Sequence, residues 1–559
     1  MTARLALLLA SSAPGARFAA LDWGVLAVYL VGTTWLGARL AGRAATIRDF
    51  FLGGRKLPAW AVAGSNIATE VSAVTFIAVP AIVFRPGGNF TYLQLALGSI
   101  LARLIIAYLF VPAYYAREIY SPYEFMGQRL GPGVNAAATA LFMLGATLAQ
   151  GVRVLTTALV LEVIADVPLV YSIWVIGAFA IAWTLLGGIT TVIWTDVIQF
   201  AVLLGGAAVS LAWVFKSVPG GAATVLAAAR DAGKFHALNL SLNPALEYTL
   251  WAGLFGTTFL NLAALGTDQV MAQRMFCCRD VTRPPRDAPL QRRPGRHRAA
   301  ALRWRGALRL LPALPLPNAD AQQVRERAER IFPLYIVRVL PSGITGLVIA
   351  AIFAAAISTL EGTLAALSQT TVTAVLLPGW RRRGLSDDAT DRQAMRAARW
   401  LIIAWGVALC GAATALIRFR HYKNLLDLAL AMPGYTYGAL LGMLLLALLP
   451  GRRDDRGLIW AVPTSVVAIF AISVHANWAA PATWTALGAL LLLGAALLFR
   501  EPVRLALVCV VVLGVEWLRR ATGAGGPLAG LAYPWYFPIG TAVTLLLGLG
   551  LARGAASRR

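Results

Sequence analysis

Residues 57–80, LPAWAVAGSNIATEVSAVTFIAVP, decide how this chain is read. At ~1.5 Å per residue the stretch is long enough to cross a lipid bilayer, and both of its ends are apolar. Its middle is not, because Gly64, Ser65, Asn66, Thr69, Glu70, Ser72 and Thr75 interrupt it. Polar side chains and loosened backbone are tolerated inside hydrocarbon only where they line a cavity or bind something. The stretch therefore predicts a helix broken at mid-membrane that serves as a binding element rather than an anchor.

Composition places this element in a polytopic membrane protein. Over 559 residues the chain is 59% hydrophobic and 13% charged, with a mean hydropathy of +0.70. A soluble globular domain does not reach those values. The net charge of +24 comes mostly from arginine, and in such a protein this excess marks cytoplasmic loops rather than a nucleic-acid surface. Cys277, Cys278, Cys410 and Cys509 show no paired extramembrane spacing, so neither a disulfide nor a metal site is expected. No nucleophile–base pair, phosphate-cradling loop or metal cluster stands out, so no enzymatic activity or cofactor is expected.

Working outward, a short apolar run within residues 1–21 resembles a signal peptide, with an over-called start as the alternative. The first clear span covers residues 23–40. Arg39, Arg43, Arg48, Arg55 and Lys56 at or beyond its end place that side in the cytoplasm and the N-terminus outside. Further spans are expected at 92–115, 134–164, 169–187, 192–215, 250–271, 343–377, 401–417, 425–449, 458–474, 483–498, 503–518 and 537–551, giving an all-α protein of about 14–15 transmembrane helices. Arg381–Arg383 with Arg392 and Arg396, then Arg452, Arg453 and Arg456, then Arg500 and Arg504, and finally Arg553, Arg558 and Arg559 are read as alternate, cytoplasmic loops. The C-terminus is then cytoplasmic, in a cell (inner) membrane.

Two more helices carry polar breaks. LFGTTFLNLAALGTDQVMAQR (254–274) holds Asn261, Thr267, Asp268 and Gln269, and IAAIFAAAISTLEGTLAALSQ (349–369) holds Ser358, Thr359, Glu361 and Thr363 in an alanine-rich frame. Asp196 lies one turn into the helix that follows the Gly-Gly turn of LLGGITTVIWTDVIQ (185–199). Matching broken helices at 57–80 and 254–274 suggest two repeats of opposite orientation with a binding site near the membrane midplane. The domain reading is an N-terminal segment and extra helix (1–56), a transport core (57–449, repeats 57–216 and 247–449) and extra helices (450–559).

One window resists this scheme. Counting from the N-terminus puts the end of 250–274 in the cytoplasm, whereas the arginines at 381–383 require the helix 343–377 to begin outside. A crossing is missing between them. The only apolar candidate, 299–317, carries Arg303, Arg305 and Arg309, each costing about 2.5–3.5 kcal/mol near a helix centre. The anomalous residues 279–317 are read as a compensated reading-frame shift that replaced a helix, with a basic cytoplasmic loop as the alternative.

FFLGGRKLPAW, SAVTFIAVPA, LLGGITTVIWTDVIQ, TDQVMAQR and IFPLYIVRVLP leading into AAIFAAAISTL together resemble the sodium/solute symporters, a family of sugar, sialic acid, proline and monocarboxylate carriers. The resemblance covers residues 23–450 and implies a five-plus-five inverted-repeat fold with sodium as the coupling ion. Carried onto matching positions, it implies sodium ligands at Ala68, Val71, Ala355, Ser358 and Thr359. Hard oxygen ligands without a full carboxylate suit a weakly held monovalent cation. The alternative for the hydroxyls is that they only bond back to helix carbonyls.

Asp196 resembles the family's membrane aspartate, and with Glu361 it forms a candidate second cation site or proton-sharing pair. The alternative is a buried ion pair with Arg103 or Arg153. Ser72, Thr75, Phe90 and Gln94 resemble solute-contacting positions of the sialic acid branch, whereas Arg153 is displaced from that branch's arginine. Arg153 still favours an anionic solute, since a guanidinium pairs with a carboxylate at two points. Asn261 and Gln269 are read as cavity residues, or else as caps of the broken segment. The expected function is sodium-driven import of a small polar solute across the bilayer, an organic acid or acidic sugar, by alternating access. Alternatives are a neutral sugar or polyol symporter, or a membrane protein of the same fold that does not transport.

Overall fold

The computed structural model describes residues 18–40, 47–116, 119, 121–165, 167–186, 189–278, 328–383, 387–417, 425–450, 456–473 and 531–556. Among the described residues the architecture is helical throughout, apart from one isolated bridge between Leu57 and Cys278. The helices that position the site are, in chain order, α1 (Ala20–Leu40), α2 (Ala59–Glu70), α3 (Ala73–Phe84), α4 (Leu95–Ile105), α5 (Pro132–Ala165), α6 (Leu169–Leu186), α7 (Ile189–Ser217) and α8 (Gly221–Asp231). They are followed by α9 (Thr257–Gly266), α10 (Gln269–Phe276), α11 (Ile331–Val339), α12 (Ile344–Thr371), α13 (Asp387–Leu416), α14 (Leu425–Leu448), α15 (Arg456–Ser473) and α16 (Tyr536–Ala556).

Seven described helices are long and apolar enough to cross a membrane, or eight if the bent α2–α3 pair counts as one span. The break falls inside the opening stretch. Val71 adopts φ −88° and ψ 110° and Ser72 φ −112° and ψ 171°, so two extended residues part the helical halves, which meet at a 49° bend. The second polar-interrupted stretch is broken as well. Between α9 and α10, Asp268 Oδ1 accepts from the N–H of Val270 at 2.8 Å, an N-cap that restarts the helix.

One expectation changes. The span expected at 401–417 begins at Asp387, so Arg392 and Arg396 lie on α13 and not in a loop. The segment DRQAMRAAR is rich in helix formers, and hydropathy alone trims such a polar helical extension. The connection between the spans expected at 192–215 and 250–271 is not bare of structure but holds α8. The window 279–317 and the spans expected at 483–498 and 503–518 lie outside the described residues.

The chain divides into two compact units. The first comprises residues 1–90, 147–236 and 273–429. In its core, Phe76 and Ile77 of α3 join Leu203 and Ala207 of α7, Phe332 and Tyr335 of α11, and Val348, Ile349 and Ile352 of α12. Helices α7 and α12 approach closely because their contact is made by small residues, and a Cβ added to Gly206 would lie 2.7 Å from that of Ala351. At the start of α12, Asp22 of α1 accepts from the N–H groups of Gly343 and Gly346 at 2.7 and 2.8 Å, placing an anion where helix donors are unpaired.

The second unit comprises residues 91–146, 237–272 and 430–559. Here α4 and the widened turn before α9 pack through glycines, since a Cβ on Gly98 would lie 2.2 Å from the Gly253 carbonyl oxygen. Tyr114 donates its hydroxyl to the Gly266 carbonyl at 2.7 Å, satisfying an acceptor at the end of α9.

Candidate functional site

Four elements of the first unit converge on Asp196. The α7 register turns this carboxylate toward Ser65 of α2, Ser358 of α12 and Arg274 of α10. All four residues have no solvent exposure. Ser358 donates its hydroxyl to Oδ1 and Ser65 donates to Oδ2. Arg274 donates to Oδ2 from Nη2 at 3.0 Å and from Nε at 3.3 Å, and its Nε also reaches the Ser65 hydroxyl at 2.8 Å. A buried ion pair repays its desolvation only when further hydrogen bonds complete it, and the two serines supply them. The partner of Asp196 is thus Arg274, not Arg103 or Arg153. Arg103 instead donates to the Ser99 hydroxyl one turn back on its own helix, at 2.9 Å.

Gly362 makes room for the guanidinium. A Cβ there would lie 2.4 Å from Arg274 Nη2 and 2.9 Å from its central carbon. Glycine under a bulky cation in the middle of a buried helix is a positional requirement, not a weak point in the helix.

Of the candidate sodium ligands, Ser358 belongs to this clamp, Ala68, Ala355 and Thr359 lie within one helical turn of Ser65 or Ser358, and Val71 lies six residues beyond Ser65. Ala68 belongs to the last turn of α2, whose carbonyls as a rule lack an intrahelical donor, and Val71 caps that helix, its N–H still donating to the Ile67 carbonyl at 3.3 Å while its extended φ and ψ end the helical run. On α12, Ala355, Ser358 and Thr359 are all buried. Thr359 donates its hydroxyl to the Ala355 carbonyl at 2.8 Å, and Thr363 donates to the Thr359 carbonyl at 2.9 Å. Gln150 of α5 donates to the Thr363 hydroxyl at 2.7 Å and so anchors this ladder. A hydroxyl that donates to a carbonyl keeps both lone pairs for a cation, so the back-bonded geometry is compatible with coordination.

Glu361 is different in kind. It is fully buried, and among the described residues neither carboxylate oxygen has a hydrogen-bond partner of normal geometry. Its electrostatic neighbours are Asp196, Gln199, Arg274, Thr195 and Tyr29. The Gln199 amide and the Tyr29 hydroxyl are likewise without a hydrogen bond of normal geometry, so these groups draw near one another without closing on one another. Gln199 and Tyr29 were not singled out from the sequence. Arg274 stood in a quoted motif, but nothing in that motif marked it as the partner of an aspartate 78 residues earlier.

The candidate solute residues are distributed over both units. In the first, Ser72 and Thr75 sit at the start of α3 and Phe90 follows that helix; Ser72 and Phe90 are buried. Arg153 lies midway along α5, half-buried. In the second, Gln94 is committed to the backbone. Its amide nitrogen donates to the carbonyls of Thr91 at 3.2 Å and Tyr248 at 3.1 Å, and its oxygen accepts from the N–H of Asn239 at 3.1 Å. Asn261 donates to the Thr257 carbonyl at 2.8 Å, and Gln269 is buried with its backbone N–H on the Tyr123 hydroxyl at 3.1 Å.

The family model described as the sodium:solute symporter family matches residues 50–464. The chain is 32% identical over 266 residues to the sodium/iodide cotransporter of Homo sapiens, covering 47% of this chain but only 41% of that protein. It is 26% identical over 468 residues to the sodium/sialic acid symporter of Proteus mirabilis, covering 81% of this chain and 90% of that one. Among solved structures, a substrate-bound, outward-open sodium-coupled sialic acid symporter superposes with a TM-score of 0.73 over 96% of this chain and 98% of its own, at 22% identity. At that identity the likeness establishes the fold.

Proposed function

The chain belongs to the sodium:solute symporter family, and on that premise we propose that it imports a small anionic organic solute, an acidic sugar or organic acid, with sodium as the coupling ion. The observation that carries the reading is the Asp196 carboxylate, which holds Ser65 of the broken helix on one oxygen and Ser358 of α12 on the other. Ala68 lies three residues and Val71 six residues beyond Ser65, and Thr359 directly follows Ser358. The clamp therefore supports Ala68, Val71, Ala355, Ser358 and Thr359 as a single sodium site.

Sodium bound there stabilises one conformation of the break, and its gradient drives the solute through alternating access. Ser72, Thr75, Phe90 and Arg153 are the solute contacts on the first unit, and Asn261, Gln269 and Gln94 of the second unit are carried as separate candidates. Similarity to a sialic acid symporter and an iodide cotransporter, both named for anions, supports an anionic solute, as does an arginine within a span. A second cation, if coupled, is placed on the Glu361 side. Asp196 is neutralised by Arg274, whereas among the described residues the carboxylate oxygens of Glu361 are unsatisfied, as is the side-chain amide of Gln199. The orientation we propose has the N-terminus outside and the C-terminus in the cytoplasm of a cell (inner) membrane.

Uptake into proteoliposomes tests the reading. N-acetylneuraminic acid, a short monocarboxylate and glucose are offered under an inward sodium or choline gradient. Sodium-dependent accumulation of an acid but not of glucose is expected; uptake of every solute at equal rates under choline contradicts the proposal.

A further inference from the structure

Past the end of α8 the chain makes a left-handed turn that favours glycine. Gly233 has φ +65°, its N–H donates to the Arg230 carbonyl at 2.9 Å, and the Lys234 N–H reaches back to the Ala229 carbonyl, also at 2.9 Å. This turn delivers the Lys234 side chain to the far end of α3. The lysine is 6% exposed, unusual for a residue with no acidic partner among its described contacts.

Four backbone carbonyls receive its ammonium. Nζ donates to Val83 at 2.8 Å, Gly88 at 3.0 Å, Arg85 at 3.3 Å and Phe84 at 3.5 Å. Helix α3 ends at Phe84, so its last carbonyls lack helical donors and carry the negative end of the helix dipole. The turn after α3 folds back so tightly that a Cβ on Gly88 would lie 2.1 Å from the Ile82 carbonyl oxygen, which is how these carbonyls converge. Two further contacts close the knot. The Phe90 N–H donates to the His236 carbonyl at 2.9 Å, and the Phe90 ring meets Phe235 edge-on at 5.8 Å.

We propose that Lys234 is a positioning residue for the solute site, a tethered ammonium in a four-carbonyl cage that fixes the end of α3 and, through it, Phe90. The proposal rests on the reading of Ser72, Thr75 and Phe90 as solute contacts. With Ser72 at one end of α3 and the cage at the other, the helix is a lever about 18 Å long. Removing the ammonium leaves desolvated carbonyls unpaired, so the end of α3 loosens or admits water and Phe90 loses its placement.

Lys234→Ala removes three methylenes and the ammonium, the equivalent of n-propylammonium, which makes chemical rescue the test. Hydrogen exchange is followed on the purified full chain. In Lys234→Ala the amides of Arg85 and of residues 87–90 are expected to exchange about tenfold faster, while those of α12 keep their protection. Added n-propylammonium restores slow exchange, tetramethylammonium does not because it has no N–H to donate, and Lys234→Arg keeps the protection. With N-acetylneuraminic acid as the uptake probe, Lys234→Ala raises KM about fivefold more than it changes Vmax, and n-propylammonium reverses the rise. Unchanged exchange in Lys234→Ala, or a loosening that neither ion or both ions reverse, overturns the proposal. Absence of uptake by the unaltered protein contradicts the transport reading instead, and the exchange result still decides the role of Lys234.

Discussion

Arg274 and Asp196 form an ion pair at 3.0 Å with both side chains wholly removed from solvent, and the pair ties α10 to α7 through a carboxylate that also holds α2 and α12. Breaking such a pair from one side leaves an uncompensated buried charge, which costs about 3–5 kcal/mol. Arg274→Met is therefore expected to lower the thermal unfolding temperature of the detergent-solubilised protein sharply. Combining it with Asp196→Asn should recover part of that loss. A double variant as unstable as the sum of the two singles contradicts the coupling.

The glycine beneath the guanidinium makes a separate prediction. Gly362→Ala forces a methyl to within 2.4 Å of Arg274 Nη2, and overpacking of this kind costs about 1–3 kcal/mol. Gly411→Ala on α13, where a Cβ meets nothing within 4 Å, is the control and should be neutral or stabilising by up to ~1 kcal/mol. Equal unfolding temperatures for the two variants would count against the packing described here.

At the second break, Asp268→Ala removes both the N-cap of α10 and the acceptor of the Tyr437 hydroxyl at 2.6 Å. Loss of a cap costs about 0.5–2 kcal/mol. Tyr437→Phe deletes only the second contact, so its effect on thermal stability should be the smaller of the two.

Much of this was legible before the structure. The break at Val71–Ser72 was announced by polar residues in mid-span, because an uninterrupted apolar helix has no use for them. The break at Thr267–Asp268 was announced in the same way. Asp196, Ser358 and Thr359 were marked by their chemistry in an apolar setting. What the sequence could not show was pairing. Arg103, Arg153 and Arg274 are chemically identical, and only the tertiary fold decides that Arg274 meets Asp196. Gln94 was read as a solute contact from resemblance; the three backbone partners of its amide are a further pairing that leaves no local signature in the sequence. The start of α13 was missed because hydropathy reports where hydrocarbon ends and not where a helix ends.

The sodium site itself is tested most directly through Thr359, whose hydroxyl is removed with almost no change of shape in Thr359→Val. The measurement is the half-saturating sodium concentration for uptake in proteoliposomes. If the Thr359 hydroxyl oxygen is a ligand, the variant should need about tenfold more sodium, corresponding to ~1.4 kcal/mol, while the amount of folded protein is unchanged. A half-saturating concentration equal to that of the unaltered protein would contradict the assignment of the coupling ion to Ala68, Val71, Ala355, Ser358 and Thr359.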